Sequence, residues 1–160
     1  MIYLGIDPGI EGAYVVLDDD SVVLRASNLP TAQIGGKNRI DTVAWMGILE
    51  TIMSGWSDDC IICGLEQPFG IPGSSINSMT FGETQGRIAG VVELFVPRPN
   101  MSYINPKTWK TYFKLSSNKR ESIYLANNLC MGLNLTKVKE ADIAEAALIA
   151  KYVQIKDFED

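Results

Sequence analysis

Histidine is absent from all 160 residues. That absence removes Ser-His-Asp and Cys-His catalysis, histidine-ligated zinc and the His-metal nuclease motifs. Any chemistry must therefore run on carboxylates, lysine, tyrosine, hydroxyls, thiols or a metal held by oxygen. No run of 18 apolar residues occurs, so no membrane span is expected. The opening MIYLGIDPG has no basic segment before its apolar stretch and no small-residue cleavage site, so a signal peptide is not expected and the expected location is the cytoplasm. Cysteine is scarce and odd in number: Cys60, Cys63 and Cys130. Cys60 and Cys63 form a C-x-x-C, but inside an apolar strand-like run, with no second pair and no Gly-Pro redox turn. They read as buried strand thiols and not as a zinc or redox pair.

What is present fits one domain with one core: 46% hydrophobic and 21% charged residues, with mean hydropathy near zero. The net charge of -5 argues on its face against a polyanionic partner. The sum hides a segregation. Between Leu94 and Arg120 there is no Asp or Glu, yet Arg98, Lys107, Lys110, Lys114, Lys119 and Arg120 all fall there, interleaved with Tyr103, Trp109, Tyr112 and Phe113. Such a stretch reads either as a phosphate-backbone footprint or as a solvated helix face whose aromatics enter the core; Trp109 and Tyr112 are assigned to the core.

Apolar spacing predicts strands at Ile2 to Ile6, Gly12 to Leu17 and Val22 to Ala26, the last two joined through Asp18, Asp19 and Asp20. Gln33 to Arg39, with two glycines, is expected to be a loop. Asp41 then caps a helix through Val43, Met46, Leu49 and Ile52. Cys60 to Leu65 is a buried strand ending at Glu66, followed by the breaker segment QPFGIPGSS. A helix is expected from about Ile76 to Phe95 and a short strand at Met101 to Ile104. Asn105-Pro106 starts the next helix, Ser117 another toward Leu129, and the last runs from Val138 to Ile155. The order implies an α/β fold, a five-stranded mixed sheet with helices on both faces.

Asp7 ends the first strand before a Pro-Gly turn, and Glu66 holds the equivalent place on the fourth. If those strands are parallel neighbours, both side chains open into the crevice where α/β sheets place their sites. Asp142 and Glu145 are spaced i, i+3 and share one helix face. Two carboxylates about 5 Å apart repel by roughly 3 kcal/mol at an effective dielectric of about 20, so four together need cations or protons. Oxygen-only ligands select Mg²⁺ or Mn²⁺, and two such ions can clamp the attacking water and leaving oxygen of a phosphodiester.

Taken in order, these motifs resemble the RuvC family of Holliday-junction resolvases, within the RNase H-like nuclease superfamily. LGIDPGIEGAYVV is similar to the family's opening strand with its first catalytic acid, here Asp7. GLEQPFG resembles the strand that carries the catalytic Glu66 and the base-stacking aromatic, here Phe69. FGETQGRIAGVV, which contains Arg87, is similar to the long helix at the dimer interface and close to DNA. INPKTWK and NKRES resemble the phosphate-contacting segments, and ADIAEAALIA the terminal acidic helix with Asp142 and Glu145. The family usually ends in Asp-x-x-Asp, so Glu145 stands one methylene longer; the acid spacing is also compatible with short viral members, for which the location would be a host cytoplasm.

The resemblance implies an RNase H-like domain over 1–160 acting as a homodimeric crossover junction endonuclease on branched DNA, with no membrane partner; it is silent on a helicase partner. It implies two Mg²⁺ per site, with Mn²⁺ able to substitute, held by Asp7, Glu66, Asp142 and Glu145. Lys110 would act with these acids in catalysis, and Phe69, Arg87, Lys107, Lys110, Lys114, Lys119 and Arg120 would contact DNA. Other RNase H-like nucleases, a junction binder without catalysis, and an actin-like phosphotransferase lobe with a similar opening turn are the rival readings. The last needs a second lobe that 160 residues do not easily supply.

Overall fold

A computed structural model describes residues 1–57, 60–67 and 75–159, the side chains of 75–78 excepted. Strands β1 (Ile2–Asp7), β2 (Ala13–Asp18) and β3 (Val23–Asn28) form an antiparallel meander. A hairpin of β4 (Thr31–Ile34) and β5 (Lys37–Ile40) follows, then helix α1 (Thr42–Met53) and strand β6 (Ile61–Glu66). Helix α2 (Ser75–Val92), strand β7 (Met101–Ile104), and helices α3 (Pro106–Tyr112), α4 (Lys119–Leu129) and α5 (Ala141–Glu159) complete the chain. The main sheet runs β3-β2-β1-β6-β7, with β1, β6 and β7 parallel. This is the mixed five-stranded sheet the sequence predicts.

The period-2 alternation of the strands assigns side chains to two cores. Ile2, Leu4 and Ile6 of β1, with Tyr14 and Val16 of β2, pack against Trp45 and Leu49 of α1 and Ile88 and Val92 of α2. The Tyr14 and Trp45 rings lie 5.1 Å apart. On the opposite face Tyr3, Ala13, Val15 and Leu17 meet α5, with Trp109 of α3 and Ile123 and Ala126 of α4 completing the layer. α5 presents Ala146, Ala147 and Ala150 there, fully buried, and it settles where the sheet has glycine. A Cβ built on Gly5 would lie 2.1 Å from the Ala146 carbonyl oxygen, and one on Gly64 2.8 Å from Val153 Cγ1. The missing side chains therefore set how deeply α5 sits, and with it the height of every residue α5 carries.

Caps act where polar residues precede helices. The Asp41 carboxylate accepts from the Ala44 N–H at 3.0 Å, and the Asn105 side chain from the Lys107 N–H at 2.8 Å, with Pro106 opening α3. The expected loop at Gln33 to Arg39 is instead the β4–β5 hairpin. Gly35 and Gly36 take φ of +60° and +74°, the two-residue turn with positive φ at both positions that glycine permits. The hairpin forms a sheet of its own, separate from the main one, and buries little beyond Ile40. α4 starts at Lys119, capped by Asn118 and not by Ser117. α5 starts at Ala141 after a 3-10 turn over Val138–Glu140 and continues four residues past Ile155.

The cysteines are free. Cys63 and Cys130 are buried, whereas Cys60 is only partly so and lies just before β6, its Sγ 3.0 Å from Ser57 Oγ. Among the described residues no helix is long and apolar enough to cross a membrane.

Candidate active site

The parallel register of β1 and β6 runs from Ile2 opposite Ile61 to Ile6 opposite Leu65, so Asp7 and Glu66 are the next residues on two neighbouring strand ends. The β1–β6 pairing ends just before them, while Asp7 stays paired with Ala13 of β2 and Glu66 with Ile104 of β7, which leaves both carboxylates at the crevice at the strand ends. α5 crosses beneath and contributes Asp142 and Glu145 from its first two turns. All four acids share one electrostatic neighbourhood. Asp7 is held well above the ordinary carboxylate pKa, first by burial and then by the charges of Glu66, Glu145 and Asp142, against which Lys110 acts. Glu66 is also raised, chiefly by burial, with the Trp109 hydrogen bond and Lys110 opposing.

Two lysines supply the compensating charge. Lys110 Nζ donates to both Glu145 oxygens, at 3.2 and 3.1 Å, and lies 5.0 Å from the centre of the Trp109 ring. Lys119 Nζ donates to Asp142 Oδ1 at 3.3 Å, and that carboxylate in turn raises the lysine's pKa. As the side chains stand, no three acid or cysteine groups among the described residues are arranged around a common point that could hold an ion. The donor set itself fits a hard divalent cation. It consists of carboxylates alone, with burial penalising the charge of Asp7 and Glu66 and two ammonium groups paired with Glu145 and Asp142.

Trp109 was assigned to the core, and it is fully buried. Its indole N–H also donates to Glu66 Oε2 at 2.7 Å, so it orients one of the four acids. A buried indole needs an acceptor, and that requirement was the available signal. Gln85 Nε2 donates to the Glu66 carbonyl at 2.8 Å, tying α2 to the end of β6; nothing in the spacing indicated it.

The expected cationic residues separate into two groups. Arg87 lies on α2, ion-paired with Glu83 at 3.1 Å, away from the α3–α4 segment. Lys107, Lys114 and Arg120 are exposed along α3, its following turn and α4, beside Lys110 and Lys119. Phe69 lies outside the described residues. Tyr112, assigned to the core, is instead 41% exposed and packs its ring edge-on against Phe113 and Tyr152.

No family model and no curated protein matches the sequence. Solved structures do. The structure of T. thermophilus RuvC in complex with Holliday junction substrate aligns at TM-score 0.66 and 16% identity, covering 97% of this chain and 96% of that one. The Thermus thermophilus RuvC structure aligns at TM-score 0.57 and 17% identity, covering 98% and 97%. At such identity the likeness establishes the fold, which extends over nearly the whole of both chains.

Proposed function

We propose, on the premise of this RuvC-like, RNase H-like fold, that the chain is a single-domain, homodimeric, Mg²⁺-dependent endonuclease that nicks two strands of four-way or related branched DNA in the cytoplasm. The observation that carries the reading is that the charges of Glu66, Glu145 and Asp142 all bear on Asp7 at the strand ends, with Lys110 and Lys119 paired to Glu145 and Asp142 beside it. It is supported by a fold shared with a resolvase solved on a Holliday junction.

Asp7, Glu66 and Asp142 would hold two Mg²⁺, with Mn²⁺ as a substitute and Glu145 as a further ligand or a proton acceptor for water. When bound there, such ions supply Lewis acidity to a phosphodiester and make water a stronger nucleophile at neutral pH. The protein's own groups do the rest. Trp109 fixes the orientation of Glu66. Lys110 and Lys119 sit within reach of the same carboxylates, so their ammonium groups are placed to balance the charge that builds on a scissile phosphate. Lys107, Lys114 and Arg120 would hold the flanking backbone, with Arg87 at a second contact on α2 and Phe69 stacking on an unpaired base. Two such subunits related by a two-fold axis match a two-fold substrate, and α2 leaves Met79 exposed for such a contact.

The test compares a synthetic four-way junction, a flap, an RNA–DNA hybrid and a linear duplex, each with Mg²⁺ or with chelator. The expected result is paired nicking of the junction that chelator and Asp7→Asn both abolish while binding persists. Cleavage by Asp7→Asn, or strongest cleavage of the hybrid, would overturn the reading. The ion pairs now occupying Asp142 and Glu145 favour one rival, a branched-DNA binder without catalysis. Junction binding with no metal-dependent nicking would select it.

A further inference from the structure

The turn between α3 and α4 has a conformation that folding alone disfavours. Phe113 caps α3, and Lys114 then takes φ +56°. Its N–H reaches the Thr111 carbonyl, and the Leu115 N–H reaches that of Lys110. This left-handed closure of a helix is ordinarily given to glycine, because a β-carbon crowds the backbone there. A lysine at such a position, with its side chain exposed, raises the question of a use for its charge.

Beside that turn, Phe113, Leu115, Tyr124 and Leu125 line an open groove of about 380 Å³ together with Lys114, Arg120 and Glu121, within the size range of small-ligand clefts. Tyr124 is 72% exposed, a large aromatic face with no cover. The one acid of the lining, Glu121, accepts the Ser116 N–H at 2.9 Å, so its carboxylate already has a partner. Among the described residues neither Lys114 nor Arg120 has an ion pair or a side-chain hydrogen bond. Arg120 directly follows Lys119, which is bonded to Asp142, so successive residues of α4 serve the groove and the acid cluster.

We infer that this groove receives an unstacked base of the DNA strand passing the acid cluster. The Tyr124 ring forms the stacking face, and Lys114 and Arg120 pair with the phosphates on either side. The inference rests on the nuclease reading and extends it, giving the protein a second contact that only interrupted duplex can satisfy. An aromatic face in an apolar groove with cations in its lining accepts any base by its π-face and the backbone by charge. Intact duplex offers the phosphates but no exposed base to bury.

The experiment measures binding in chelator of wild type, Tyr124→Ala, Tyr124→Phe and Lys114→Gly to a four-way junction, a linear duplex and a short oligo(dT). Tyr124 is exposed, so its replacement leaves the core intact. The expected result is that Tyr124→Ala weakens junction and oligo(dT) binding by about 5- to 150-fold, the range that base stacking on an aromatic supplies. Duplex binding stays unchanged and Tyr124→Phe binds as wild type. Lys114→Gly, which relieves the backbone, is expected to keep or raise Tm while weakening both probes. 5-Iodouracil beside the branch should crosslink to Tyr124. Unchanged junction and oligo(dT) binding by Tyr124→Ala overturns the inference, as does an equal loss on duplex, or conversion of a dimer to monomer by that variant, which would place a second copy of the chain in the groove. A wild type with no preference for branched DNA and no metal-dependent nicking overturns the nuclease reading instead; Tyr124-dependent oligo(dT) binding would still uphold the groove.

Discussion

Gly5→Ala places a methyl group where α5 meets β1, and its consequence can be worked from the contacts. The new carbon would lie 2.1 Å from the Ala146 carbonyl oxygen, 2.3 Å from the Ala150 nitrogen and 2.8 Å from the Ala150 Cβ. The first two are backbone atoms of a continuous helix, so no rotamer change relieves them. To restore ordinary contact, α5 must back away from the sheet by about 1 Å, and a radial gap of that size forfeits roughly a quarter to a half of the dispersion well for each facing pair. Overpacking of this kind costs about 1 to 3 kcal/mol and sometimes more, a large share of the roughly 5 to 15 kcal/mol that holds a domain together. Gly64→Ala meets only the side-chain tips of Val153, Ile104 and Ile149 at 2.8 to 2.9 Å and should cost less. Urea unfolding is the assay, with the midpoint expected to drop for Gly5→Ala at unchanged slope. Because α5 carries Asp142 and Glu145, nicking should fall on the order of 100-fold, the scale of a 1 Å misplacement. A Gly5→Ala protein within about 0.5 kcal/mol of wild type, the scatter of neutral surface changes, or less affected than Gly64→Ala, would refute the claim that glycine sets the seat of α5.

Three further outcomes are expected. Asp7 and Glu66 have pKa values raised in the folded state, so the native protein binds extra protons. Stability without metal is then greatest below the ordinary carboxylate pKa and is lost as pH rises from there through the raised values. Tm in chelator should fall as pH rises above the ordinary carboxylate range, and Asp7→Asn should flatten the fall; a flat wild-type profile contradicts this. Gln154 is buried, donating to the Asp18 and Asp19 carbonyls at 2.9 Å and accepting from Ser21 Oγ and Lys151 Nζ at 2.8 Å. Gln154→Leu removes these four bonds, but the Asp18 carbonyl keeps the Ser21 N–H and Lys151 Nζ keeps Ser21 Oγ, so the change should cost about 1 to 3 kcal/mol in urea unfolding, the scale of one buried group left unpaired; a loss below that range would mean water replaces the side chain. Burial pushes Cys63 up to about 12 and Cys130 to about 11, so of the three thiols only Cys60 should react quickly in the native state, as thiol titration before and after unfolding would show. Rapid reaction of a second thiol would contradict that burial.

Much of this arrangement was legible because its signals are local. Asp7 and Glu66 each end an apolar run at a proline turn, and parallel pairing of β1 with β6 follows from the helix between them. Asp41 and Asn105 announced their helices by cap chemistry. The β4–β5 hairpin was missed because its strands are polar and bury little, so hydrophobic alternation had nothing to mark, although Gly35-Gly36 was a turn signal. The role of Trp109 was half visible: the ring belongs in the core, but the acceptor of its N–H comes from β6, 43 residues away. Gly5 and Gly64 look like ordinary strand glycines until α5 is laid across them. The pairing of Lys110 with Glu145 and Lys119 with Asp142 depends on how α3, α4 and α5 pack, which no spacing within one element encodes.

A crystal soaked in Mn²⁺ and measured at the manganese absorption edge tests the central claim most directly. The account predicts two anomalous peaks bounded by Asp7, Glu66 and Asp142, with the ammonium groups of Lys110 and Lys119 withdrawn from Glu145 and Asp142, and no such peaks in Asp7→Asn. Both lysine pairs intact at saturating Mn²⁺, with no anomalous density in the crevice, would contradict it.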